Sequence, residues 1–239
     1  MKYMGSKARI AKYILPIMLK HRKEGQWWVE PFVGGANMID KVGGNRLGAD
    51  LHWGVISALR LIRDNPTFLP TDNKMFTELD YNHQKNSHNS FDGGRTVYHG
   101  YVGFALSYGG KWFGGWCRDG ANKRDYVKES FNNAQKQSPK LQGVKFIWGS
   151  YKSEALEIPE NSIIYCDPPY EGTVKYNEGI NHLEFWEWCR TKTKEGHKVF
   201  ISEYKAPKDF ECIWSKEVSN TLSKQNNFKN TERLFSYCG

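Results

Sequence analysis

Short apolar runs alternate with segments of helical apolar spacing along two parts of the chain. The apolar runs predict strands at residues 27–32, 46–50, 144–148, 162–166 and 198–202. The helical spacing predicts helices at residues 36–42, 53–63 and 183–194, and one helix or two short ones at 10–20, where Pro16 interrupts the pattern. Residues 210–218 and 233–237 predict a closing antiparallel pair. Strands that alternate with helices indicate an α/β fold with a mostly parallel, doubly wound sheet.

Residues 66–143 have a different texture. This interval is polar, rich in glycine and asparagine, and weakly periodic. We interpret it as an inserted subdomain, so that residues 1–65 and 144–239 together form the main domain.

The formal net charge of +8 and the pI of about 9.1 suggest an anionic partner, most often nucleic acid for a basic domain. A basic chain that merely stays soluble is the alternative. The five scattered cysteines form no Cys-x-x-Cys pair and the histidines have no ligand spacing, so no metal site is expected. The chain shows no signal peptide and no membrane-spanning run. We therefore expect a soluble, cytoplasmic protein without a membrane partner.

A glycine turn follows the first predicted strand. In Glu30-Pro31-Phe32-Val33-Gly34-Gly35, Gly34 lets a ligand approach the backbone closely, although such turns are often only turns. Asp50 ends the second predicted strand, twenty residues after Glu30. An acid there accepts hydrogen bonds from ribose hydroxyls in nucleotide-binding folds, or it caps the helix that follows. Both roles for Asp50 are compatible.

The strongest motif is Asp167-Pro168-Pro169-Tyr170, directly after the strand predicted at 162–166. Consecutive prolines hold the backbone extended and remove two amide donors, which leaves carbonyls free at the ligand-binding end of the strand. The Asp167 carboxylate and a carbonyl can accept both hydrogens of an exocyclic amine, and the Tyr170 ring can stack on a flat heterocycle. An ordinary turn with a surface aromatic is the weaker alternative.

With these motifs in order, nearly the whole chain resembles the amino-directed DNA adenine methyltransferases, in particular the Dam-like group. Residues 3–7, with Tyr3 and Lys7, are similar to the family's N-terminal aromatic-x-Gly-x-Lys element, and residues 29–35 to its Glu-Pro-Phe-x-Gly element. Residues 165–170 are similar to the catalytic Tyr-x-Asp-Pro-Pro-Tyr element, and residues 231–237 resemble the closing strand. Two positions depart from the pattern: Ala36 replaces a frequent second glycine, and Glu203 a frequent asparagine.

The resemblance implies a Rossmann-like methyltransferase sheet, S-adenosyl-L-methionine as cofactor, and a DNA-recognition subdomain inserted before the catalytic motif. It implies catalytic roles for Asp167, the Pro168 carbonyl and Tyr170, the last stacking on an adenine flipped out of the duplex. The implied cofactor-binding residues are Tyr3, Lys7, Phe32, Asp50 and Asp167, to which the glycine turn adds Gly34. No step of this chemistry requires a metal.

Contact with double-stranded DNA is expected from the inserted interval and the residues after it. Nine basic residues stand against three acids between positions 111 and 152, a pattern that suits phosphate contacts or a solvated basic face. The candidate DNA-binding residues are Lys111, Trp112, Arg118, Lys123 and Arg124. Residues 108–116 predict a loop or hairpin that enters a groove, and residues 223–229 a second basic loop. The Arg-Tyr-Asn run that reads GATC in Dam-like enzymes is absent, with Cys117-Arg118-Asp119 nearest.

Two further hypotheses compete with DNA adenine methylation. The first is methylation of RNA or of a glutamine side chain, although glutamine methyltransferases of the release-factor type have asparagine before the prolines. The second is a DNA-binding relative that has lost catalysis, against which intact Lys7, Asp50, Asp167 and Tyr170 count. We expect a monomer or weak dimer in a bacterium or phage-infected host, as a solitary, phage or restriction-modification enzyme.

Overall fold

A mixed sheet forms the centre of the structure, a computed structural model that describes residues 1–87, 97–119, 121, 123–171, 180–219 and 229–238. Its strands run in the order β3-β2-β1-β4-β5-β7-β6. They are β1 (Trp28–Glu30), β2 (Arg46–Asp50), β3 (Val144–Trp148), β4 (Ile163–Cys166), β5 (Lys198–Ser202), β6 (Phe210–Ser219) and β7 (Lys229–Tyr237). The first five strands are parallel, and β7 is antiparallel to both β5 and β6. The predicted α/β fold, including its closing antiparallel pair, is confirmed.

Six α-helices lie in the described part of the chain. They are α1 (Ala11–Leu19), α2 (Trp53–Asp64), α3 (Glu78–Ser87), α4 (His99–Ala105), α5 (Tyr126–Leu141) and α6 (His182–Lys194). Pro16 lies inside α1 without dividing it, and buried Ile14, Leu15 and Met18 anchor the helix on both sides of the proline. Among the described residues, no helix is both long and apolar enough to cross a membrane.

The helix predicted at residues 36–42 is wrong for most of its length. Only Ile39–Lys41 form a single 3-10 turn. Gly34 and Ala36 both have positive φ, of 48° and 56°, which is incompatible with a right-handed helix. The segment after β1 is therefore a tight loop that brings backbone, rather than a helix, to the end of the strand.

Both faces of the sheet are covered. On one face Trp28, Ile163 and Tyr165 belong to a core shared with α1, α2, α4 and α5. On the other face Val29, Ile164 and Cys166 pack with Phe185 and other residues of α6. Neighbouring residues of one strand point to opposite faces, and every residue of β1 and β4 is buried, so these strands are covered on both sides.

The interval 66–143 contributes α4 and α5 to this main core. Both helices contact α2, and Tyr101, Phe104, Val127 and Leu141 are buried in the same cluster as the strand residues. The weak apolar periodicity of α5 follows from its composition, since only a few of its residues are buried. The boundaries 1–65, 66–143 and 144–239 remain predictions, and α4 and α5 pack as part of the layer that covers the sheet.

Candidate active site

The candidate residues converge on one edge of the sheet. Asp167 follows β4 and Asp50 ends β2, so both lie at carboxyl ends of parallel strands. The antiparallel strand β7 begins at this end of the sheet, where Leu234 pairs with Ser202, the last residue of β5. Glu232 therefore projects beyond the end of β5. Ligands bind at this edge in open α/β sheets.

Lys7 joins the N-terminal motif to the catalytic motif. Its side chain is 9% exposed, and its Nζ lies 3.2 Å from Asp167 Oδ1 and 3.5 Å from Glu232 Oε2. The same nitrogen lies 4.4 Å from the centroid of the Tyr170 ring. Tyr170 in turn donates its hydroxyl hydrogen to Glu232 Oε2 at 2.9 Å. One buried cation is thus held between two carboxylates and an aromatic face.

Glu232 was not among the predicted site residues. Its sequence neighbours, residues 231–237, were assigned only to a closing strand. The side chain reaches the site because of the β5–β7 register, which places it two residues beyond the partner of Ser202. No local pattern in the sequence indicates that register. A single glutamate in a polar stretch therefore gave no indication of a place in the site.

Burial controls the ionisation of this cluster. It raises the pKa of Asp167 to about 6; Lys7 opposes the rise and the charge of Glu232 adds to it. Burial alone would lower the pKa of Lys7, but the carboxylates of Asp167 and Glu232 outweigh that effect and raise it. Burial also raises the pKa of Tyr170, which keeps its hydroxyl protonated as a donor. The site therefore holds a permanent cation beside a carboxyl group that titrates just below neutrality.

The Asp167 side chain remains open to the outside. It is 21% exposed, although the preceding residue, Cys166, is fully buried. The ring of Tyr170 packs edge-on against Tyr204, with 4.5 Å between the centroids. A ligand can thus reach the Asp167 carboxylate at the end of β4, beside a ring held by two neighbours.

Glu203 supports the loop that follows the catalytic motif. Its side chain is buried at the end of β5, where Oε1 accepts the Glu171 amide at 2.7 Å and Oε2 accepts the Tyr204 amide. Burial raises the pKa of Glu203, against these hydrogen bonds. The departure from asparagine at this position therefore leaves an acceptor that fixes the backbone beside Tyr170.

Asp50 organises the glycine turn. Its Oδ2 accepts the Gly34 amide at 3.0 Å and its Oδ1 accepts the His52 amide at 2.9 Å, while burial raises its pKa to about 6. The N-cap of α2 is His52, whose ring accepts the Gly54 amide, so Asp50 precedes the cap rather than forming it. Each Asp50 oxygen keeps a second lone pair, which suits two ribose hydroxyls.

Tyr3 and Phe32 flank the turn. A Cβ on Gly34 would lie 2.9 Å from the Tyr3 ring, so only glycine allows this approach. Phe32 packs against Tyr151 and Phe185, with 5.4 and 5.7 Å between ring centroids. The Asp50 carboxylate and the Tyr3 and Phe32 rings fit a nucleoside, which needs hydroxyl acceptors and apolar walls.

The predicted DNA-binding residues have different surroundings. Lys111 and Lys123 are exposed, whereas Arg118 is paired with Glu78 and Arg124 with Glu129. Trp112 is partly buried: its ring centroid lies 4.4 Å from that of His52, and a Cβ added to Gly103 would lie 2.2 Å from its ring. The predicted loop at 108–116 is closed by a bridge between Ser107 and Trp116, and Tyr108, directly after the bridge, is 64% exposed. The second loop, at 223–229, lies outside the described residues apart from the backbone of Lys229.

Trp112 thus packs within the structure, and its predicted contact with DNA remains untested. The exposed aromatic of this loop is Tyr108, which was not among the predicted contacts. Within the described residues, no three His, Cys, Asp or Glu side chains group as a metal site would require.

Comparison with known proteins gives consistent matches. The family model described as D12 class N6 adenine-specific DNA methyltransferase matches residues 3–235. DNA adenine methylases from two strains of Vibrio cholerae serotype O1 are each 28% identical in an alignment of 191 residues that covers 71% of this chain. The chain spans 64% of the length of these curated relatives. TrmN from Thermus thermophilus matches 97% of this chain and 49% of its own at 11% identity, with a TM-score of 0.40.

Proposed function

Because the chain belongs to the D12 class N6 adenine-specific DNA methyltransferase family, we propose that it methylates the exocyclic amino nitrogen of adenine in double-stranded DNA. The methyl donor is S-adenosyl-L-methionine, which supplies an activated methyl group on a sulfonium. The observation that carries the proposal is the position of Asp167: a partly open carboxylate at a strand end, followed by two prolines and contacted by Lys7.

Asp50, the Gly34 turn, Tyr3 and Phe32 form the cofactor site in this proposal. Asp50 accepts the ribose hydroxyls with its remaining lone pairs, while its bonds to the Gly34 and His52 amides hold the carboxylate in place. The Tyr3 and Phe32 rings supply apolar walls on the two sides of the strand end. Besides its contact with the methyl donor, Lys7 holds the Asp167 side chain in position and stabilises its negative charge.

Asp167 and the Pro168 carbonyl activate the target nitrogen. The lone pair of an adenine amine is delocalised into the ring, which makes the nitrogen a poor nucleophile. When both amine hydrogens are accepted by these two oxygens, the lone pair is localised and held in one direction. Asp167 accepts this hydrogen bond only as a carboxylate, so Lys7 favours the reactive form by stabilising the charge.

Tyr170 holds the base. Adenine must leave the duplex for its amine to reach Asp167, and the extruded ring needs a stacking surface. The Tyr170 ring is oriented by its hydroxyl bond to Glu232 and by its edge-on contact with Tyr204. We therefore assign Tyr170 as the stacking residue and Glu232 as the residue that positions it.

Double-stranded DNA is the substrate we propose, and phosphate contacts come from the exposed Lys111 and Lys123 and from Arg118 and Arg124. The two arginines form pairs in which the side chains are 71% and 56% exposed, and such pairs contribute little and exchange readily for phosphate. We also propose action as a monomer or weak dimer in the cytoplasm of a bacterium or phage-infected host.

Methyl transfer tests the proposal directly. Tritiated cofactor is offered with double-stranded DNA, single-stranded DNA and RNA in parallel, and the labelled base is identified after digestion. We expect labelled N6-methyladenine from duplex DNA, and no product from Asp167→Ala despite a folded protein. Label only in RNA or in protein would reject the proposal, and DNA binding without any label would favour a relative that has lost catalysis.

Long-read sequencing of DNA from cells that express the protein then gives the methylated motif. A matched culture that expresses Asp167→Ala supplies the background. A motif that is present only with the parent protein would identify the recognition sequence, whether GATC or another.

A further inference from the structure

Basic and aromatic side chains form an exposed surface on α1 and β6. The Tyr13 ring stacks on the Trp214 ring, with 6.3 Å between centroids and 21° between planes. Lys216 Nζ lies 3.7 Å from the centroid of the Tyr13 ring, and Lys12 Nζ lies 5.0 Å from it. With the exposed Arg9, which ends the 3-10 turn before α1, these residues are called the α1–β6 surface.

The α1–β6 surface carries a local excess of positive charge. Arg9, Lys12 and Tyr13 are exposed, and α1 contains no acidic residue. Neither Arg9, Lys12 nor Lys216 forms an ion pair with a carboxylate of the described residues. The hydrogen bonds and charges of Lys216 and Lys12 lower the pKa of the Tyr13 hydroxyl. An anion placed here meets two ammonium groups and a phenol donor.

The surface continues to the active site. Lys216 is the register partner of Glu232, and Trp214 that of Leu234. Paired residues of antiparallel strands point to the same face of a sheet. Lys216 and Trp214 therefore share a face with Glu232, which contacts Lys7. Lys12 lies five residues after Lys7, in the helix that directly follows the 3-10 turn Lys7–Arg9.

When the target adenine of a DNA duplex reaches Asp167, the phosphates on either side of that adenine must lie close to the carboxyl ends of the strands. We propose that the α1–β6 surface binds backbone phosphates of double-stranded DNA beside the target adenine, as a DNA contact additional to residues 111–124. The proposal rests on the proposed function. Ammonium groups and a tyrosine hydroxyl are common phosphate ligands, and contacts of this kind position a duplex without reading its sequence.

The test compares two variants that each lose two positive charges. Lys12→Gln/Lys216→Gln removes the charge of the α1–β6 surface. Lys194→Gln/Lys198→Gln is the control, because both lysines are exposed near the amino end of β5, away from the active-site edge. Fluorescence anisotropy gives the Kd for a labelled duplex of mixed sequence, over a series of salt concentrations.

We expect the slope of log Kd against log salt to become shallower by about 1.8 in the first variant, since each lost phosphate contact removes about 0.9. The control should keep the parental slope. Equal slopes in the two variants, or a reduced slope on duplex RNA but not on duplex DNA, would overturn the proposal.

Methyl transfer at saturating DNA and low salt separates this test from the proposed function. We expect the Lys12→Gln/Lys216→Gln protein to retain the parental kcat, because neither lysine contacts Asp167. Absence of methyl transfer in the parent protein would refute the proposed function, while the binding slopes would still decide whether the surface binds DNA.

Discussion

Replacement of Glu232 by glutamine tests the electrostatics of the active site. The change removes one negative charge and keeps an oxygen that accepts the Tyr170 hydroxyl. Asp167 and Glu232 lie 3.2 and 3.5 Å from the same lysine nitrogen. The two carboxylates are therefore no more than about 7 Å apart, a separation at which unit charges interact by about 2 kcal/mol at an effective dielectric constant of 20.

The repulsion from Glu232 raises the pKa of Asp167, so its removal lowers that pKa. An energy of about 2 kcal/mol corresponds to about 1.5 pH units. The Asp167 and Glu232 side chains are 21% and 14% exposed, and solvent weakens the interaction, so we expect a shift of about one unit.

The shift has a definite sign in the pH profile. In the parent protein, burial raises the pKa of Asp167 to about 6, and the proposed mechanism uses its carboxylate form, so we expect kcat/KM to fall as the pH drops through 6. In Glu232→Gln this acid limb should move to a pH about one unit lower. The assay measures kcat/KM for methyl transfer to duplex DNA between about pH 4.5 and 8, a range that contains the acid limb of the parent protein and that of Glu232→Gln.

Two controls separate charge from structure. Glu187→Gln removes an equivalent charge from an exposed residue of α6 and should leave the profile unchanged. Tyr170→Phe removes the hydroxyl bond to Glu232 without a change of charge, so it should lower kcat and leave the acid limb in place. An acid limb at the parental pH in folded Glu232→Gln would refute the assignment of the limb to Asp167.

Three further predictions test other parts of the structure. Asp50→Ala should weaken S-adenosyl-L-methionine binding about 10- to 100-fold by calorimetry, because charge-assisted hydrogen bonds contribute about 1.5–3 kcal/mol. The control Asp64→Ala, at an exposed residue, should leave the affinity unchanged, and an unchanged affinity in Asp50→Ala would exclude the ribose role. Neutralisation of Arg118, Lys123 and Arg124 together should weaken DNA binding and flatten its salt dependence, and an unchanged slope would place the phosphate contacts elsewhere. Gly103→Ala should destabilise the fold by about 1–3 kcal/mol in urea unfolding, because its Cβ would overlap the Trp112 ring, whereas Gly43→Ala meets no atom within 4 Å and should be neutral.

Local sequence patterns determined the frame of the fold. Strands β2, β3 and β5 begin and end at the predicted residues, because short runs rich in apolar residues indicate strands without reference to their neighbours. The location of Asp50 and Asp167 at the same end of the sheet was predicted, since the carboxyl ends of parallel strands lie side by side. The contact between Lys7 and Asp167 was not predicted, because only the family resemblance pointed to Lys7.

Predictions failed or stayed incomplete where the outcome depends on backbone geometry or on distant packing. The apolar spacing at 36–42 favoured a helix, but positive φ at Gly34 and Ala36 turns the chain away from one. The aromatic loop at 108–116 suggested an exposed probe of DNA, yet Trp112 fills space beside Gly103 and beside Gly54, which is distant in sequence. No periodicity within either segment contains that information.

The amino-acid sequence by itself determined which candidate residue types are present and at which strand ends they occur. Only the tertiary structure decided that Glu232 shares Lys7 with Asp167, and that Lys216 lies over Tyr13. Both depend on the register of β7 against β5 and β6, in which a shift of one residue would turn each side chain to the opposite face. Register is set by the packing of the whole sheet, so these contacts arise only in the folded chain.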